Sequence, residues 1–284
     1  MTSPTPAPGT PASSSATHFY PPGQPRIGVL NWYGTRTLYL KEVRRFLKVH
    51  TQTIWAPAVT TLLFLAIFTV AMGRADQTVL GVPLATFLGP GLIAMAMLQN
   101  AFANTSSSIL IAKVQGTIVD TLMPPLSPGE LLLAYVGGGV TRAFAVGLAV
   151  WLAFLLWPGA DPTIREPWAV IYYGIMGSAM LSLMGILTGV WAEKFDHGAA
   201  VTNFIIQPLS LLSGTFYTLD RLSGVWNTIS HANPFFFVID GFRYGFLGVS
   251  DGPLAWGGLY LLAINLALGG LTYFVLRTGW RLKA

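Results

Sequence analysis

Residues 104–128 read NTSSSILIAKVQGTIVDTLMPPLSP. They lie between two long apolar runs and are too polar to cross a bilayer. Ile109, Ala112, Gly116, Val119 and Met123 nevertheless recur at helical spacing, with Lys113, Gln115, Thr117 and Asp120 between them. Pro124, Pro125 and Pro128 then stop the helix. The pattern predicts a short amphipathic helix, over about 106–123, lying flat between two membrane spans. Two readings fit it: a connector resting on lipid headgroups, or a docking surface through which a soluble partner moves the membrane part.

The chain around it belongs in a membrane. Of 284 residues, 53% are hydrophobic and 10% charged, and the mean hydropathy is +0.58; soluble domains carry roughly a quarter charged residues. The net charge of +5 does not point to nucleic acid, because the positive residues gather at the two ends, as in the cytoplasmic flanks of membrane spans. The absence of cysteine excludes disulfides, thiolate metal sites and Cys nucleophiles. Residues 1–28 are rich in Pro, Ser, Thr and Ala and lack an apolar stretch, which predicts a disordered cytoplasmic tail rather than a signal peptide. Residues 29–284 then form one membrane domain.

Between Asn31 and His50, the basic residues Lys41, Arg44, Arg45 and Lys48 fall on one helix face, with Leu40, Val43 and Leu47 forming an apolar stripe. Such a helix lies along an anionic leaflet, as a positive-inside flank or as an active lever. Apolar runs at about 52–72, 84–104, 131–157, 168–191, 199–219 and 254–276 predict six spans. The predicted class is therefore an all-α membrane protein. Lysine and arginine bias puts both termini and the 106–123 helix in the cytoplasm. The connection after the fifth run is long and contains NPFFFVIDGFRYGFLG at 233–248, too short and interrupted to cross. It fits a re-entrant helical hairpin over about 222–250, or a surface loop dipping into headgroups.

Chemistry is sparse. No HExxH or G-x-S-x-G occurs, and none of the five lysines follows a glycine, so the phosphate-cradling G-x-x-x-x-G-K-[ST] loop is absent. If ATP drives this protein, another chain must bind it. Arg142 is the ionisable residue placed well inside a predicted span, facing a cavity or, if the span begins near Gly139, sitting at the interface. No file of Asp, Glu and His supports proton coupling, and no internal repeat supports an inverted-repeat transporter.

The motifs KEVRRF (41–46), FLGPGLIAMAMLQNAFANTSSS (87–108), AYVGGGVTR (134–142), PLSLLSGTFYTL (208–219) and NPFFFVIDGFRYGFLG (233–248) together resemble the type-2 ABC exporter permeases. These are also called type V ABC transporter transmembrane subunits, and the likeness is strongest to their YadH-like branch of bacterial inner-membrane permeases. The resemblance runs from about Trp32 to the end and leaves out the Pro/Ser tail. It implies a non-enzymatic transport subunit that pairs with a second copy of itself and with two ABC ATP-binding subunits, which carry ATP and magnesium. Lys113, Gln115, Gly116, Thr117, Asp120, Thr121 and Leu122 would dock into the ATPase as a coupling helix, with Lys41, Arg44, Arg45 and Lys48 adding an interfacial helix among membrane lipids. Asn100, Phe102, Asn104, Asn203, Gln207, Ser210, Ser213, Phe216 and Tyr217 would line the translocation path on spans two and five, or else hold helices together. Phe235, Phe236, Phe237, Phe242, Arg243 and Tyr244 would form a re-entrant gate. The implied cargo is a lipid, a lipid-linked molecule or a polysaccharide-type amphipath; the alternatives are small hydrophobic drugs or, from a different class, a non-ATP channel or scaffold.

Overall fold

A computed structural model describes residues 30–71, 78–218, 229–230 and 232–282. The N-terminal tail and residues 219–228, which include the first part of the hairpin expected over about 222–250, lie outside the described residues. In chain order the helices are α1 (Trp32–Lys48), α2 (Thr51–Val70), α3 (Leu84–Val114), α4 (Ile118–Leu122), α5 (Pro128–Phe154) and α6 (Pro167–Trp191). Then follow α7 (Phe195–Val201, Thr202–Ile206 and Gln207–Leu211 in succession), α8 (Pro234–Leu247) and α9 (Leu254–Thr278). A two-residue hairpin, Thr78–Val79 (β1) against Val82–Pro83 (β2), turns the chain between α2 and α3, a detail the all-α expectation lacked.

α3 is the axis. Nearly all of its residues are buried, whereas α9 keeps Leu259, Leu266, Leu271 and Phe274 exposed on its outer face. At about 1.5 Å per residue the 31 residues of α3 run about 46 Å, against a hydrocarbon core of about 30 Å. The helix therefore continues straight through the point where the sequence divided a span ending at 104 from a separate helix beginning at 106. Nothing between them breaks a helix: Ser106 Oγ donates to Phe102 O at 2.8 Å and Ser107 Oγ to Asn104 O at 3.2 Å, so the polar run is accommodated within the turns. The separate helix shrinks to α4.

Among the described residues, five helices are long and apolar enough to cross a membrane, one fewer than expected. The run expected to span 199–219 is helical only from Phe195 to Leu211, with a π segment at Thr202–Ile206, and is irregular from 212 to 218. Its 17 helical residues reach about 25 Å. Pro208 sits where it removes an N–H from the ladder, and Gly214 at φ +73° ends any continuation.

α3 and α6 meet closely because α6 presents Gly177, Ser182, Gly185 and Gly189 to it. A Cβ on Gly185 would stand 2.1 Å from Thr105 Oγ1 and 2.6 Å from the Phe102 carbonyl oxygen. Thr105 Oγ1 donates across the seam to Ser182 O at 2.8 Å. The GILTG run at 185–189 is a small-xxx-small pattern that lets membrane helices pack backbone to backbone.

Candidate functional site

α1 packs one face into the bundle, with Thr35, Leu38, Glu42 and Phe46 buried, and keeps the other face exposed. Asn31 caps it, its Oδ1 accepting from Gly34 N at 2.9 Å, while its own backbone N–H donates to Glu130 and its Nδ2 to Pro125 O at 3.2 Å. Glu130 closes a capping box with Ser127 at the start of α5, so one buried carboxylate ties the starts of α1 and α5. Three turns further, Glu42 is wholly buried. Its Oε1 accepts from Ser108 Oγ at 2.7 Å and its Oε2 from Arg45 Nη2 at 3.0 Å. Arg45 Nη2 also reaches Asn104 O at 2.7 Å and Asn104 Oδ1 at 3.1 Å, and Nη1 reaches Ser107 Oγ at 3.2 Å. The close approach depends on Gly138, where a Cβ would meet that of Glu42 at 2.7 Å.

The expected basic face is therefore split. Lys41, Arg44 and Lys48 are exposed, and Lys41 Nζ donates to Thr121 Oγ1 on α4 at 3.2 Å. Arg45 turns inward. Sequence reading passed over Glu42, although an acid inside a basic stripe, three residues before Arg45, was the available signal.

In the stretch expected to dock, Gln115, Gly116, Thr117 and Asp120 are exposed, together with the apolar Val114, Val119 and Met123. Gly116 ends α3 at φ +72° with open space around its Cβ position. Thr121 is buried against α1 and Leu122 is half-buried. Lys113 points back: its Nζ donates to Gly189 O at 3.3 Å, Val190 O and Ala192 O at 2.7 Å, capping the end of α6, where a cation suits the helix dipole. Lys113→Met is expected to lower stability by about 1 kcal/mol, read as a lower unfolding midpoint in detergent. Beside α4 a groove of about 740 Å³ is lined by Gly116, Val119, Leu122, Met123, Glu193 and Arg281.

The candidates for the path divide in the same way. Asn100 lines a notch of about 310 Å³ between α2 and α3, with Gln52, Thr60, Thr61, Phe64 and Gln99. Gln99 Nε2 donates to Gln207 Oε1 at 3.2 Å, linking α3 to α7. Asn203 is exposed, and Phe216 stacks on Phe68 at 4.7 Å between centroids. Tyr217 is partly buried, with no hydrogen-bond partner for its hydroxyl among the described residues. Phe102, Asn104, Ser210 and Ser213 are buried in helix contacts, Asn104 within the Arg45 network and Ser210 Oγ on Ile206 O at 2.7 Å. α5 starts at Pro128, which makes Arg142 the fifteenth of its 27 residues, and its Nη2 donates to Asn100 Oδ1 at 2.8 Å.

At the opposite end of the molecule, Phe235, Phe236, Phe237 and Phe242 are core residues of α8, and Tyr244 is half-buried beside Trp168. Arg243 is buried, its guanidinium 4.0 Å from the centre of the Phe87 ring and its Nη2 donating to Gly214 O at 2.7 Å. One turn away, Asp240 accepts from Asp251 N at 2.8 Å and Gly252 N at 3.0 Å. The DGFRYG motif thus pins the chain leaving α7 and the chain entering α9 to one buried helix.

Comparison with known proteins adds to this geometry. The family model for the ABC-2 type transporter matches residues 33–247, which take in everything from α1 through α8. The chain is similar to the inner membrane transport permease YadH of Escherichia coli (strain K12), 37% identical over 226 residues, covering 79% of this chain and 87% of that protein. It is also similar to nodulation protein J of Neorhizobium galegae, 24% identical over 242 residues, covering 84% and 90%. Against nodulation protein J of Sinorhizobium fredii (strain NBRC 101917 / NGR234) it is 26% identical over 190 residues, covering 65% and 68%.

Proposed function

This chain belongs to the ABC-2 type transporter family, and from that premise we propose that it is the membrane permease subunit of an ATP-driven exporter. Two copies form the path, and two separate ATPase subunits, carrying ATP and magnesium, dock from the cytoplasm. Both termini lie on that side of a bacterial inner membrane, and α7 with the chain after it makes the sixth crossing. The cargo is a lipid, lipid-linked or polysaccharide-type amphipath.

The observation that carries this reading is the exposed Val114–Met123 stretch. Isolated exposed apolar residues mean little, but Val114, Val119 and Met123 cluster beside a groove on a protein whose other apolar surface belongs to lipid. The stretch is also wired inward. Lys41–Thr121 links α4 to α1, and α1 is held to α3 by Glu42 and Arg45. A push on α4 is therefore transmitted to α3, the helix around which the bundle packs. Transmission of this kind needs a partner that contacts the stretch differently in its two states.

Co-expression with the neighbouring ATPase subunit and purification in mild detergent tests this. The wild-type chain should bring down the ATPase. Gly116→Trp and Val119→Arg should reduce its recovery by about tenfold, whereas Gly116→Asn, which tolerates the left-handed backbone, should retain it. A wild-type chain that is stable and purifies alone would sink the exporter reading and leave a channel or scaffold.

A further inference from the structure

Arg142 stands at the middle of α5 and Asn100, the seventeenth of 31 residues, at the middle of α3. A cation there is normally matched by an anion, because an uncompensated charge in hydrocarbon is among the least favourable arrangements a membrane helix can hold. Among the described residues no carboxylate pairs with Arg142: the ion pairs are Arg45–Glu42, Arg165–Asp161 and Arg281–Glu193. The neighbouring cation, Arg45, bonded to Asn104 one turn along α3 from Asn100, is of like sign. Arg45 already holds Glu42, so that carboxylate is taken and Arg142 is left as an uncompensated positive charge among the described residues. Among the described residues Arg142 has a single hydrogen-bond acceptor, the neutral amide oxygen of Asn100, and its Nε has none. Only 9% of the residue is exposed. Asn100 in turn forms part of the wall of the notch between α2 and α3, with Gln52, Thr60, Thr61 and Gln99 supplying further amides and hydroxyls.

We propose that Arg142, reached through the Asn100 wall of this notch, is an anion-binding point of the path that receives a phosphate-type group carried by the exported molecule. The proposal rests on the exporter reading and narrows its cargo to an anionic amphipath. Asn100 is a placeholder in it. An incoming phosphate takes over the Arg142 Nη2 and Nε donors, exchanging a neutral acceptor for a charged one and supplying the anion that the fold omits. The hydroxyls and amides of the notch accommodate the remaining oxygens, and the apolar tail stays toward lipid beside Phe64.

The test is binding to the full-length chain purified in detergent, scored by native mass spectrometry with farnesyl phosphate against farnesol, which has the same tail without the charge. Wild type should hold farnesyl phosphate about tenfold more tightly. Arg142→Gln should erase the preference and Arg142→Lys should keep most of it. Asn100→Asp provides the missing carboxylate from within and should erase the preference in a protein at least as heat-stable as wild type, which guards against a misfolded Gln variant. Displacement of farnesyl phosphate by inorganic phosphate alone would mean that a free anion suffices; resistance to it would mean a lipid-borne one. No preference in wild type, or a preference unchanged in folded Arg142→Gln or Asn100→Asp, overturns the proposal. Such a failure is separable from failure of the exporter reading, because recovery of the ATPase does not depend on it.

Discussion

Arg45→Ala should destabilise the folded permease by about 3 kcal/mol, the low end of what breaking a buried ion pair costs. The carboxylate of Glu42 is wholly buried, and without Arg45 its one remaining partner among the described residues is the Ser108 hydroxyl. Arg45 itself is 30% exposed, which places the estimate at the low end. Glu42→Gln with Arg45→Gln removes both charges and should cost less than Arg45→Ala alone, since no isolated charge stays behind. Equilibrium unfolding in mixed micelles measures both. The double variant being less stable than the single would mean that the pair matters as packing and not as charge. Because the same guanidinium grips Asn104 and Ser107, the single variant should also loosen α1 from the helices it packs against, α5 among them. A cross-link between cysteines introduced at Leu38 and Leu131, both buried in one cluster at this end, should form less completely in it.

The second large effect is steric. Gly185→Ala puts a methyl group 2.6 Å from the backbone oxygen of Phe102 and 2.1 Å from Thr105 Oγ1. The hydroxyl can rotate, but the carbonyl belongs to a helix backbone and moves only with α3. Overpacking at a helix seam costs about 1–3 kcal/mol, and Gly185→Leu should exceed that range and prevent recovery of a monodisperse protein. Gly270 is the control. It lies on α9 with nothing within 4 Å of its Cβ position, and Gly270→Ala should change stability by less than about 0.5 kcal/mol. Wild-type stability of Gly185→Ala would mean that α3 and α6 are not held backbone to backbone.

What could be read from the sequence was what repeats at short range. Apolar runs placed α2, α3, α5, α6 and α9, because a span's length and hydropathy depend only on consecutive residues. Proline placed the start of α8, whereas the end of α3, at Val114 before Gly116, fell inside the helix expected over 106–123. The ABC-2 motifs identified the family because they recur as strings. The fifth run shows the limit of this method: its hydropathy continued past Leu211, but its helix did not, since Pro208, Gly214 and the grip of Arg243 on the Gly214 carbonyl act on the backbone and not on hydropathy.

Local periodicity also assigned each basic residue to a face, and there it misled. Arg45 and Lys113 are long side chains that follow acceptors: a buried carboxylate with helix carbonyls for one, and the unsatisfied end of α6 for the other. Glu42 is three residues from Arg45, but the carbonyl acceptors lie 59 residues away for Arg45 and Asn104 and 76 for Lys113 and Gly189, beyond any spacing rule. The composition, the helical class, the membrane setting and the family were therefore determined by the sequence alone. Which charges are buried, which glycines are contact points and which cation stands without a counterion were decided only when α1, α3, α5 and α6 came together, because burial and pairing are properties of the packed helices.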